Sequence, residues 1–310
     1  MNTTDKIYVA GHTGMVGSAM VRILKSRGFN DILMRSSREL DLTRQSDVEA
    51  FLQHERPDLV MIAAARVGGI LANSTYRAEF ITENLQIQTN VIHSAWKAGV
   101  TRLLFFSSSC VYPRVCPQPM MEEHLWTGPL EPTNEPYAVA KLAGMSMCRA
   151  YNDQYGTRFL SIVPTNLYGP NDSFDPAHSH VMAALIRTFH TAKETHAPAV
   201  TLWGTGQPRR ELMYVDDAAE AALVVIDTYA GNEPLNVGTG QDHTVRELAQ
   251  IVKGVVGYSG AIEFDASKPD GMPRKALDAS RMLELGWTPR VSLEQGIALA
   301  YDWYLQSLPQ

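Results

Sequence analysis

The stretch Ile7-Tyr-Val-Ala10-Gly11-His12-Thr13-Gly14-Met15-Val16-Gly17 decides the fold. Its first four residues are apolar and read as a short buried strand. Glycines then recur at every third position, and an amphipathic helix is predicted from Met15 to Arg27. Glycine lets the backbone turn sharply between strand and helix and lets it come close to a diphosphate. The helix N-terminus behind the turn offers free N–H groups and a partial positive charge. No Gly-Lys-Ser/Thr follows, so a Walker loop is excluded. Gly11, His12, Thr13, Gly14, Met15, Val16 and Gly17 are therefore expected to hold a dinucleotide.

Outward from this motif, short apolar runs alternate with longer helical patterns. Strands are predicted at Ile32–Met34, Leu59–Ala63, Leu103–Phe106 and Phe159–Val163. Helices are predicted at Ser46–His54, Ala78–Lys97 and Tyr137–Tyr155. That rhythm specifies an α/β protein, a Rossmann-type doubly wound parallel sheet with helices on both faces. After Pro164 it breaks. Segments rich in Pro, Asn, Gly and His carry apolar helices such as Val181–Phe189, and Asp216-Asp217 reads as the cap of a helix to about Ile226. Two short strands, Leu235–Val237 and Ile262–Phe264, and a closing helix from Leu293 complete the chain. A cofactor domain over 1–170, with a return segment near 211–235, and a smaller α/β C-terminal substrate lobe over 171–310 are expected. No metal site is expected.

Composition narrows the function classes. The 310 residues carry a net charge of −6 and no long basic run, which argues against nucleic acid as a partner. No apolar run is long enough to span a bilayer, so no membrane partner is expected. The N-terminus lacks a signal-peptide pattern, and Cys110, Cys116 and Cys148 do not suggest a disulfide framework. A reducing cytoplasm is the expected location.

The end of the second strand governs cofactor choice. An acidic residue there suits the ribose hydroxyls of NAD. Here the chain reads Met34-Arg35-Ser36-Ser37-Arg38-Glu39. Arg35, Ser37 and Arg38 suit the 2′-phosphate of NADP(H) by charge and hydrogen bonding.

The chemistry is expected at the carboxyl ends of the strands. Ser107, Ser108, Ser109 and Cys110 end the fourth. Tyr137 and Lys141 are four apart and share a helix face. An ammonium beside a phenol lowers its pKa from about 10 and fits it to exchange a proton with a sugar oxygen. Residue chemistry alone leaves Cys110 as either a small buried apolar residue or a reactive thiol. It does not separate His180 from His178. Arg209-Arg210 and Arg274-Lys275, flanked by Pro and Gly, are expected in ordered loops able to clamp a diphosphate.

Taken in order, these motifs resemble the extended short-chain dehydrogenase/reductases. The similarity spans nearly the whole chain and includes Ala64-Ala-Arg-Val-Gly-Gly69, Ser108-Ser-Cys-Val-Tyr-Pro113, Leu130-Glu-Pro-Thr-Asn-Glu-Pro-Tyr-Ala138, Pro164-Thr-Asn-Leu-Tyr-Gly-Pro170, Asn236-Val-Gly-Thr-Gly240 and Asp265-Ala-Ser-Lys-Pro-Asp-Gly271. Within the family the chain is similar to enzymes that convert GDP-4-keto-6-deoxy-D-mannose to GDP-L-fucose. The resemblance implies a reductase triad of Ser108, Tyr137 and Lys141 and an epimerising acid–base pair of Cys110 and His180. It implies cofactor contacts from Ser107, Lys141, Pro164, Thr165, Asn166, Leu167 and His180. It also implies GDP-sugar contacts from Arg187, Thr188, Trp203, Arg210, Asp270 and Lys275, and a homodimer formed through the two long helices. The chain departs from the family pattern in places. Thr13 and Ser37 stand where relatives often carry phosphate-gripping arginines. Thr188 replaces a basic residue, Arg66 a lysine and Ser107 a glycine. Alternative expectations are the same chemistry on a colitose- or heptose-type GDP-4-keto sugar, a redox-neutral NAD-dependent 4-epimerase, and a non-catalytic dinucleotide sensor.

Overall fold

A computed structural model describes residues 1–176, 179–268 and 270–308. His178, the alternative to His180, lies outside the described residues. The first half runs β1 (Ile7–Ala10), α1 (Met15–Ser26), β2 (Ile32–Leu33), α2 (Gln45–Glu55), β3 (Leu59–Ile62), α3 (Ile70–Thr75), α4 (Arg77–Lys97), β4 (Arg102–Phe106), α5 (Glu135–Tyr155) and β5 (Arg158–Pro164). The second runs β6 (Asn166–Tyr168), α6 (Val181–Glu194), β7 (Ala199–Trp203), β8 (Arg209–Tyr214), α7 (Val215–Thr228), β9 (Leu235–Val237), β10 (Asp242–Thr244), α8 (Val245–Val256), β11 (Ala261–Asp265), β12 (Arg274–Lys275), α9 (Ser280–Glu284) and α10 (Leu293–Ser307).

Six strands form one sheet in the order β2-β1-β3-β4-β5-β9, and every pairing is parallel. Residues on a strand alternate between the two faces of a sheet. In β1, Ile7 and Val9 join one buried cluster with Leu24, Val215 and Ala218. Tyr8 and Ala10 join the other, with Val48, Leu52, Val91, Phe105 and Leu142. Helices thus cover both faces, which is why these strands are continuously apolar rather than alternating. The order in which strands are added reverses between β1 and β3, so the glycine run opens at the switch point, where ligands bind in such folds.

The glycines are sterically demanded. Gly11 has φ +86°, and a Cβ there would sit 2.6 Å from the Ala64 nitrogen. A Cβ on Gly17 would overlap the Gly11 carbonyl oxygen. Gly14, by contrast, is exposed and caps α1 with no side-chain hydrogen bond, so the first N–H groups of the helix stay available.

The later part holds more strand than the sequence pattern suggests. β8 is the axis of a second sheet. It pairs with β10, antiparallel, and with β12 and β6, both parallel. Arg209-Arg210 and Arg274-Lys275 are therefore paired strand residues, with Lys275 opposite Arg210, and not loop residues. A third cluster, including Tyr168, Ile186, Phe189, Leu248, Val252 and Ile297, packs this region. Asp216-Asp217 also differs from expectation. Tyr214 is the N-cap of α7, and neither aspartate caps it. Asp216 pairs with Arg22 of α1 at 2.5 Å, while Asp217 accepts the N–H groups of Arg290 and Val291.

Glu211 ties the two regions together. It is fully buried. Oε1 accepts the N–H groups of Thr239, at 2.5 Å, and Gly240, at 2.9 Å, and Oε2 accepts that of Leu277 at 2.7 Å. Replacing this carboxylate by Glu211→Gln turns an amide donor against these N–H groups. The change is expected to cost about 3 kcal/mol or more of unfolding free energy in urea titrations, whereas an unchanged midpoint would show that the three bonds carry no net stability.

Candidate active site

The cluster begins where β4 ends. Ser108 takes an extended conformation and starts a single turn, Ser109–Val111, whose Cys110 N–H is donated to Ser108 Oγ at 3.4 Å. The Cys110 thiol also hydrogen-bonds the Ser108 side chain. Only 8% of Cys110 is exposed. From α5, started by Pro136 in its first turn, Tyr137 and Lys141 reach the same place. Lys141 is buried, and its Nζ donates to the Phe106 carbonyl at 2.8 Å. That bond fixes α5 to the carboxyl end of β4. The ammonium lies 5.7 Å from the Tyr137 ring centroid and 4.8 Å from that of Phe105. The Phe80 ring meets Tyr137 edge-on at 6.5 Å.

The electrostatics without ligand differ from the sequence expectation. Burial pushes the Tyr137 phenol up, and the nearby Cys110 thiol pushes it further. Burial likewise raises Cys110, opposed by Lys275, the Ser108 hydrogen bond and Lys141. Burial lowers Lys141 to about 8, with Cys110 acting against it. The expected lowering of the phenol by Lys141 is thus corrected. Desolvation outweighs the cations, and both acids hold their protons in this state.

Lys275 enters from β12. Its charge is felt by Cys110 on one side and it feels Arg210 on the other. Arg210 donates to its own neighbour's carbonyl, Arg209, at 2.7 Å and to that of Met272 at 2.6 Å. It lines a cavity of about 70 Å³ with Trp203, Gly206, Pro208, Val245, Asp270 and Gly271. Trp203 is 74% exposed, so it is no core residue. Asp270 accepts both the N–H and the hydroxyl of Thr205, which hold its carboxyl below the usual range. Trp203, Arg210, Asp270 and Lys275 thus form a continuous path from an open aromatic face to Cys110.

Other expected residues lie elsewhere. Arg187, on α6, donates to the Phe174 carbonyl at 2.6 Å. Thr188, beside it, is half-buried. His180 is the N-cap residue of α6, and its Nδ1 faces Asp172 at 3.7 Å. No contact among the described residues joins His180, Arg187 or Thr188 to the Cys110 cluster. Pro164, Thr165, Asn166 and Leu167 run from β5 into β6. There Thr165 and Asn166 side chains both donate to the Glu211 carbonyl at 3.2 Å. Asp172 and Glu211 carry no weight in the sequence reading, because a lone buried carboxylate has no motif.

The cofactor residues divide in the same way. The loop fits a dinucleotide: Gly14 is open, α1 has free N–H groups, and His12 Nδ1 is buried with no hydrogen-bond partner. Ser107 Oγ is similarly unpartnered at the end of β4. Arg35 is already engaged. It donates to the Met34 carbonyl, pairs with Glu55 at 3.3 Å and lies 5.4 Å over the Phe51 ring. Thr13, Ser37 and Arg38 are exposed. Glu39 folds back to accept the Ser36 N–H and hydroxyl, each at 2.7 Å.

Comparison with known proteins agrees with this layout. The model of the NAD dependent epimerase/dehydratase family matches residues 7–238. The chain is 55% identical to GDP-L-fucose synthase 1 of Arabidopsis thaliana, covering 98% of this chain and 94% of that protein. It is 50% identical to GDP-L-fucose synthase of Escherichia coli, covering 98% and 97%. Among solved structures, the GDP-mannoheptose C4 reductase of Campylobacter jejuni with NADP bound superimposes with a TM-score of 0.89 at 40% identity, covering 98% and 99%. The glycine loop at the switch point, the Tyr137–Lys141 pair and these matches together establish that the chain belongs to the NAD dependent epimerase/dehydratase family, the extended short-chain dehydrogenase/reductases.

Proposed function

We propose that this enzyme carries out the 3,5-epimerisation and 4-reduction of GDP-4-keto-6-deoxy-D-mannose to GDP-L-fucose with NADPH. The observation that carries the reading is the single cluster of Ser108, Cys110, Tyr137 and Lys141, with Lys275 beside the sulfur. A simple reductase needs the phenol and the ammonium. It has no use for a thiol between two lysines. The identity of 50–55% to GDP-L-fucose synthases, against 40% to the GDP-mannoheptose reductase, supports the 6-deoxy sugar over a heptose.

A C4 ketone acidifies the hydrogens on C3 and C5. Cys110 takes such a proton as thiolate, the form favoured by Lys275 and Lys141. His180 gives a proton to the opposite face of the same carbon. Ser108 and the still-protonated Tyr137 donate to the enolate oxygen. Its raised pKa suits this, because the phenol must bring a proton to the site. When bound, the reduced nicotinamide supplies the hydride for C4. Tyr137 then protonates the C4 oxygen, with Lys141 favouring the phenolate that remains. Residues 11–17 hold the diphosphate, and Ser107, Lys141, Pro164 to Leu167 and His180 surround the nicotinamide end. Trp203 stacks on the guanine, and Arg210, Asp270 and Lys275 hold the remainder of the GDP-sugar. Arg187 and Thr188 serve its phosphates.

Residues 1–170 with the return near 211–235 serve the cofactor, and residues 171–310 otherwise serve the GDP-sugar. The enzyme acts in the cytoplasm as a homodimer formed through α4 and α5. The exposed apolar residues Tyr76, Val139 and Tyr155 on or beside those helices support that face. Among the described residues no helix is long and apolar enough to cross a membrane.

Incubation with GDP-4-keto-6-deoxy-D-mannose and NADPH is expected to consume the reduced-nicotinamide absorbance and yield GDP-L-fucose; no oxidation and no product would refute the assignment. Cys110→Ser is expected to slow solvent-deuterium uptake at C3 and C5 by about a hundredfold or more while slowing hydride transfer less. Equal slowing of both steps would contradict the role of the sulfur.

The 2′-phosphate is assigned to Arg38, with Thr13 and Ser37 as hydrogen-bond donors, since Arg35 is held by Glu55 and Phe51. Arg38→Ala is expected to raise KM for NADPH about tenfold and to leave KM for NADH nearly unchanged. Arg35→Ala should not discriminate between the two cofactors, and the reverse pattern would move the assignment to Arg35.

A further inference from the structure

Asp172 follows β6 in Gly169-Pro-Asn-Asp172 and faces the N-terminus of α6. Its side chain is only 6% exposed. Oδ1 accepts the Ser173 N–H at 2.8 Å and lies 3.7 Å from His180 Nδ1. Oδ2 is buried and has no hydrogen-bond partner among the described residues. Leaving a carboxylate oxygen dry and unpaired is costly, and a surface aspartate would turn it to water. The other oxygen of the same carboxylate, Oδ1, faces one edge of the His180 imidazole.

The place of His180 explains the need. It is the N-cap residue of the 14-residue helix α6, with φ −81° and ψ 169°. The other charged groups around this end are Asp175, whose carbonyl accepts the Ser179 N–H, and Arg187, whose guanidinium is bound to the Phe174 carbonyl. Asp172 is the carboxylate that faces the ring, at 3.7 Å. A carboxylate drawn from 3.7 Å to hydrogen-bond distance of Nδ1 would fix the tautomer of a ring whose side chain is 46% exposed.

We infer that Asp172 is the positioning residue of the epimerising acid: it holds Nδ1–H of His180 and thereby presents a protonated Nε2 to the ketosugar. The inference rests on the epimerase/reductase reading. In the step it supports, the carbon-bound proton passes to the Cys110 thiolate. The enolate carbon then takes a proton from Nε2, leaving a neutral imidazole whose Nδ1–H stays on Asp172. Solvent at the exposed ring edge restores the lost proton, and the thiol returns its own to water, so no net charge or electron is transferred.

Wild type, Asp172→Asn and Asp172→Glu can be compared with GDP-4-keto-6-deoxy-D-mannose in D₂O without NADPH. Inversion is read after borohydride trapping and deuterium uptake by mass spectrometry. Asp172→Asn is expected to lose inversion at least about tenfold while Cys110-dependent uptake with retention persists and KM for NADPH is unchanged. Asp172→Glu recovers part of the rate. Unchanged inversion in Asp172→Asn, or a parallel fall of inversion, uptake and hydride transfer, would overturn the positioning role. Absence of inversion in the wild type would overturn the epimerase reading itself, and this inference with it.

Discussion

A buried carboxylate holds the site in shape. Glu211 sits on β8 and binds three backbone N–H groups from two other segments, one following β9 of the parallel sheet and one following β12. Its own carbonyl accepts from Thr165 and Asn166, at the end of β5. Burial raises this carboxyl, and the three N–H groups oppose that rise. The geometric consequence matters more than the net energy. Leu277 is two residues from Lys275, so the bond that anchors the C-terminal strand also places the cation beside Cys110. The parallel sheet brings the thiol, the phenol and Lys141. Glu211 brings the second lysine to them.

The resulting cluster is buried, and its two acids stay neutral rather than ion-paired with the lysines. Tyr137 and Cys110 keep their protons, while Lys141 is lowered to about 8. Such a site responds strongly to an incoming charge, because little water is present to screen it. A diphosphate and a developing enolate each alter the field felt by the thiol. A ligand-free enzyme with a permanently ionised cysteine would be exposed to oxidation. Raised by burial, the Cys110 thiol avoids that state.

Much of this was legible in the sequence. Ile7–Ala10 and Gly11 to Gly17 sufficed for the parallel sheet and the dinucleotide loop, because continuous apolar strands and sterically required glycines leave a direct pattern. Tyr137 and Lys141 were legible from helix spacing. β8 was not, because Arg209, Arg210 and Glu211 look like a solvated run while their partners, Asp242, Met272 and Leu277, lie far along the chain. The roles of Cys110 and His180 came from family resemblance, since a thiol after a strand and a histidine before a helix have ordinary structural uses. The engagement of Arg35 by Glu55 and Phe51 likewise depends on long-range packing that no local pattern encodes.

Convergence of the thiol and phenol on one ketosugar ring is best measured by a crystal structure of the enzyme with NADP and GDP-L-fucose. The Cys110 sulfur is predicted to lie within about 3.5 Å of C3 or C5, with the Tyr137 hydroxyl hydrogen-bonded to the C4 oxygen of the same ring. A sugar bound with its C4 oxygen on Tyr137 but its C3 and C5 turned away from Cys110 would contradict the shared site and leave reduction without epimerisation.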